Sequence, residues 1–131
     1  MLISYKEEDI VKYMVIIYGN AELWESFSAE EAQRAIEGQD AFNRKYAGTG
    51  ELLLAYGNAP ASEARTVRVR GGVPAVTDGP YLEAKEHLAS WYLLEVPDER
   101  RALEIAAEIP FASVGAVEVW PVPHEAPGNK L

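Results

Sequence analysis

Residues 13–18 read Tyr-Met-Val-Ile-Ile-Tyr, a β-branched and aromatic run closed by Gly19-Asn20. Such a run predicts a buried strand. Successive side chains of a strand point to opposite faces. Met14, Ile16 and Tyr18 therefore share one face and Tyr13, Val15 and Ile17 the other, and both faces are apolar. Residues 91–94 (Trp-Tyr-Leu-Leu) and 52–54 (Leu-Leu-Leu) are two-faced in the same way, and Val117, Val119 and Trp120 continue the pattern. A strand with one wet face alternates apolar and polar residues instead.

Working outward from residues 13–18, residues 1–11 mix charged and apolar positions without a period and read as an N-terminal extension. Residues 21–27 read as a connection carrying Trp24 and Phe27. Ser28-Ala29-Glu30-Glu31 has the form of a capping box, in which the first free backbone donors of a helix find side-chain acceptors. Ala32, Ala35, Ile36, Phe42 and Tyr46 then recur at helical spacing, with Gln39 on the same face and Gly48 and Gly50 as stop signals. Residues 51–56 predict a second strand. Residues 66–70 alternate, Gly71-Gly72 turns, and residues 73–76 return, which predicts a β-hairpin. Thr77-Asp78-Gly79-Pro80 predicts a loop, residues 81–87 a short helical turn, and residues 89–96 a further strand. Asp98 can cap a second helix with Ala102, Ile105, Ala106 and Ile109 as its stripe, ended by Pro110. Residues 114–122 predict a closing strand, and residues 123–131 a flexible tail.

The order is β-α-β, a hairpin, then β-α-β over residues 1–131, one α+β domain. A ferredoxin-like split β-α-β sheet with an inserted hairpin has this order. Two helices cover one face of a four-stranded sheet, which leaves an apolar face far larger than a soluble monomer usually exposes. A second copy packed sheet to sheet is the simplest cover, because most soluble oligomers are symmetric homodimers. The pockets at the ends of such a sandwich are natural small-molecule sites.

The composition excludes several classes. Of the 131 residues, 48% are hydrophobic and 25% charged, so the chain has the makings of a folded core. There are no cysteines, which excludes disulfides and thiolate chemistry and fits the cytoplasm. The net charge of −9 speaks against nucleic acid and anionic membrane surfaces as partners. No segment reads as a secretory signal or a membrane span.

Residues 77–86, Thr-Asp-Gly-Pro-Tyr-Leu-Glu-Ala-Lys-Glu, resemble the name motif of the DGPF-domain proteins of the YCII-related family, Asp-Gly-Pro-Phe followed by a Lys-Glu pair. Residues 13–19, Thr66-Val67-Arg68, Pro110 and Glu118-Val119 agree with it, so the resemblance covers roughly residues 12–122. It implies a ferredoxin-like dimeric α/β barrel. It implies an unassigned function, with related YCII proteins resembling small-molecule enzymes, some of them acting on chlorinated aromatic breakdown products. Genes for DGPF proteins often lie beside those for alternative sigma factors, which points to regulation. Tyr81 stands where the motif has Phe, Ala89-Ser90 where a Gly pair is common, and the first strand ends without the His of the proposed catalytic His-Asp pair. That pair is not carried over.

Asp78 is the first candidate catalytic residue, as a general base if partly buried; the competing reading is an Asp that stabilises its own turn. Lys85 and Glu86 follow from the motif, Lys85 as an anchor for an anionic group and Glu86 as a second proton-transfer residue, against the plainer reading of a solvated ion pair. Arg68 is a candidate substrate-binding residue by bidentate pairing. Tyr18, Tyr81 and Trp91 are aromatic candidates for the same role, although aromatics in strands are core residues first. Glu83, Glu86 and His87 form too small a set for a metal site, so neither metal nor cofactor is expected. Beside a dimeric domain whose 78–86 loop is purely structural, two functions are open. One is a homodimeric enzyme doing acid–base chemistry on a small organic acid or aromatic molecule; the other is a non-catalytic ligand-binding or regulatory module.

Overall fold

The computed structural model describes residues 5–19 and 21–131; the expected stop at Asn20 and the start of the 1–11 extension lie outside them. Strand β1 (Lys12–Gly19) is followed by a one-turn helix α1 (Ala21–Glu25), the long helix α2 (Ala29–Thr49) and β2 (Leu52–Gly57). A hairpin of β3 (Arg65–Arg70) and β4 (Val73–Asp78) comes next, then β5 (His87–Glu95), α3 (Glu99–Ala106) and β6 (Val117–Pro121). This is a mixed α+β structure with two antiparallel sheets, one of four strands in the order β2-β5-β1-β6 and one made of the hairpin alone. Each long helix joins two strands between which a third is inserted: α2 joins β1 to β2 across β5, and α3 joins β5 to β6 across β1. Among the described residues the four-stranded sheet keeps two free edges, β2 and β6, and does not close a barrel.

Alternation along the strands sorts the core. Tyr13, Val15 and Ile17 of β1, Tyr92 and Leu94 of β5 and Leu52 of β2 pack against Phe42 and Tyr46 of α2 and Ala102, Ile105 and Ala106 of α3. The expected stripe of α3 is buried at every position, Ile109 included. That of α2 is buried only in its second half: Phe42 and Tyr46 are covered, while Ile36 is 47% exposed. Phe42 stacks on Tyr92 with ring centroids 5.7 Å apart.

The capping box forms as read. The Ser28 hydroxyl accepts the Glu31 N–H and the Glu31 carboxylate accepts the Ser28 N–H, each at 3.1 Å. The helix runs through Gly48 and stops at Gly50, whose φ of 82° only glycine adopts cheaply. Asp98 caps α3 by accepting the Arg101 N–H at 2.9 Å.

Four expectations are corrected. The 21–27 connection contains α1. Residues 81–86 form bends without a helix, because β5 begins already at His87 and pulls the segment extended. The closing strand starts only at Val117, since Pro110 opens a 3-10 turn over Pro110–Ser113. Asp78 belongs to β4, in register with Arg65, and the loop starts after it. Within the extension, Glu7–Asp9 forms a 3-10 turn and Ile10 is buried in the core.

The other sheet face carries Leu54 and Tyr56 of β2, Trp91 and Leu93 of β5, Met14, Ile16 and Tyr18 of β1, and Trp120 of β6, as the register and the alternation require. Among the described residues no helix packs on it. Tyr56 packs against Trp91 with centroids 5.1 Å apart, and Tyr56 and Trp120 are each 54% exposed. The hairpin does not fold back to cover this face: Val67, Val69, Val73 and Val76 are all more than 60% exposed. No helix among the described residues is long and apolar enough to cross a membrane.

Candidate functional site

A cleft of about 600 Å³ lies at the end of the sheet where β1 finishes and β5 starts. A β-bulge makes it. Ile17 pairs with Ser90 but Tyr18 pairs with Leu88, so Ala89 is the extra residue in β5. A bulge bends its strand and re-aims the side chains next to it, and here His87, Leu88 and Ala89 all line the cleft. Asn58 holds the bulge open: its backbone N–H donates to the Ala89 carbonyl at 2.7 Å and its side-chain amide donates to the Leu88 carbonyl at 3.3 Å. Carbonyls freed by the bulge thus keep partners, as backbone polar groups must.

Helix α1 and the 3-10 turn Ala61–Glu63 form the remaining walls. Trp24, Phe111, Pro60, Ala59 and Ala61 supply apolar surface; Lys85, His87, Glu25, Asn58 and Ser62 supply polar groups. Among the described residues Lys85 makes no ion pair. A cationic group beside aromatic and aliphatic walls is the arrangement that holds a small organic anion, the charge fixing orientation and the walls supplying area. Trp24 is 44% exposed and leans on Phe27 with centroids 5.6 Å apart, so its indole is presented to the cleft without being locked in the core.

The residues singled out from sequence separate in space. Lys85 lines the cleft, and His87, weighed only as a metal ligand, lines it too. Asp78 and Glu86 are not among the lining residues. The Asp78 side chain is 91% exposed and pairs with Arg65, Oδ1 to Nε, at 3.2 Å. It is Gly79 that anchors the turn: its φ is 90°, its N–H donates to the Ala64 carbonyl at 2.8 Å, and its carbonyl accepts from the Thr66 hydroxyl at 2.9 Å. Arg68 lies over the Tyr81 ring at 5.4 Å, both on the exposed hairpin and its following loop. Tyr18 and Trp91 belong to the open sheet face. Glu118 of β6, paired in register with Ile16 of β1, accepts the Trp120 indole N–H at 3.1 Å, and its bond to the Tyr18 hydroxyl pushes that phenol's pKa up. Glu83 and Glu86 are exposed, and no cluster of three or more potential metal ligands gathers among the described residues.

Trp24, Asn58 and Phe111 are cleft residues that sequence reasoning passed over. Trp24 had a signal, a large aromatic in a short connection directly after a buried strand. Asn58 had none, because its role depends on a bulge in a strand thirty residues away.

Two comparisons bear on this geometry. The model of the YCII-related domain matches residues 11–124. An uncharacterised protein of Rhizobium meliloti (strain 1021) is 33% identical over 119 residues, which cover 89% of this chain and 96% of that protein.

Proposed function

This chain belongs to the YCII-related domain family, and from that premise we propose that it is a binding protein for small organic anions. It works as a homodimer of ferredoxin-like subunits packed through their open sheet faces, a dimeric α/β barrel formed by two chains. The observation that carries the binding role is Lys85, unpaired among the described residues and set against the apolar walls of the cleft. Lys85 receives the carboxylate, His87 lies beside it, and Trp24 and Phe111 cover the hydrocarbon part. Acid–base catalysis has less support. A general base needs reach to the substrate, whereas Asp78 is exposed, paired with Arg65 and away from the cleft lining.

Calorimetric titration of the full chain with hexanoate and with benzoate tests the reading. Both bind the wild type, and Lys85→Ala weakens them by about tenfold or more, the loss expected for one charge-assisted bond. Asp78→Asn leaves both affinities unchanged. Binding that is indifferent to Lys85, or no binding of either acid, contradicts the proposal.

A further inference from the structure

A second, half-open pocket of about 160 Å³ adjoins the cleft, and the two share Trp24, Phe111 and Ala89 as lining. One of the shared residues, Trp24, sits on a five-residue helix and is 44% exposed. The volume of the second pocket is comparable with the roughly 150 Å³ apolar cavity that takes up one benzene ring.

The two spaces differ in chemistry. The cleft is lined by Lys85 and Glu25, and the second pocket has no charged lining residue. Its polar groups are Gln39 and Ser90, among Ile17, Ala35 and Ile36. The Gln39 amide nitrogen donates to the Tyr92 hydroxyl, which leaves its carbonyl oxygen as an acceptor. Burial keeps Tyr92 a neutral phenol, its pKa pushed up to about 12. A carboxylate finds no cation in that lining, whereas a hydroxyl can donate to Gln39.

Resting on the anion-binding reading above, we propose that the ligand is an aromatic carboxylic acid with a hydroxyl on the ring edge remote from its carboxylate. The carboxylate stays outside at Lys85, the ring passes between Trp24 and Phe111, and the hydroxyl reaches Gln39 and Ser90. Trp24 is the movable wall that joins the two spaces.

The test is a titration of the full chain with two matched pairs, benzoate against 4-hydroxybenzoate and 3-phenylpropanoate against 3-(4-hydroxyphenyl)propanoate. The two lengths allow for the span between Lys85 and Gln39. In at least one pair the hydroxylated acid binds about tenfold tighter, the net worth of one hydrogen bond. Gln39→Leu removes that preference and leaves the unsubstituted acid's affinity in place. Ser90→Ala narrows it and serves if the Gln39 variant does not fold. Equal affinities within both pairs overturn this inference and leave cleft binding standing, as does binding of hexanoate with none of the ring acids. Failure of every acid, hexanoate included, overturns both.

Discussion

Asp78 and Lys85 belong to one motif in the sequence, yet the fold gives them different surroundings. Lys85 reaches the cleft lining, and Asp78 ends an exposed strand beside Arg65. Residue type and spacing carried the expectation of chemistry at both, but only Gly79 shows a backbone need that the motif alone could announce. The residue scale also holds the clearest pH dependence. Arg101 binds the Glu51 carboxylate through two nitrogens at 2.7 and 3.0 Å and holds its pKa below the usual range. A carboxylate whose folded pKa lies below its unfolded one adds stability that is present above the unfolded value, about 4.3, and lost as pH falls through the folded value. Urea unfolding of the wild type and Glu51→Gln should therefore differ at pH 7, the variant being weaker, with the gap closing on acidification below about pH 4. A gap that stays constant down to pH 2 contradicts this assignment.

At the level of elements, both long helices were legible because their signals are local. The Ser28 and Glu31 box, the Asp98 cap and the α3 stripe each depend on neighbours within a turn or two. Ser28→Ala should cost about 1 kcal/mol, the usual worth of an N-cap. Ile105→Ala, at a position with no exposure, should cost about 2–5 kcal/mol by leaving a cavity under the sheet. Urea unfolding at one fixed protein concentration checks both, and a Ser28 effect equal to that of Ile105 would contradict the ranking. The strand ends and the bulge were not legible. Where β5 begins depends on Tyr18 and Gly19 pairing with Leu88 and His87, and the extra residue at Ala89 on hydrogen bonds from Asn58. Those are contacts between distant segments, and no local pattern encodes them. The cleft is a product of these contacts, which is why its walls escaped the sequence while its lysine did not.

For the molecule as a whole, the two-faced strands carry the argument. One face of each is accounted for by α2 and α3, and the other remains bare with Tyr56, Trp91, Leu93, Met14 and Trp120 on it. The hairpin, which could have covered part of it, stands apart with its valines exposed. A two-stranded hairpin is marginal alone in water, so both bare surfaces call for the same remedy. A stable homodimer buries about 800 Å² on each partner, an area that a four-stranded sheet face can supply. The direct measurement is the mass in solution across the micromolar range, by light scattering or sedimentation, of the wild type and of Trp91→Lys, which places a charge on the open face. The account predicts twice the 14.5 kDa of the chain for the wild type and a shift towards the single-chain mass for the variant. A wild type that runs as a stable 14.5 kDa monomer throughout that range would contradict it.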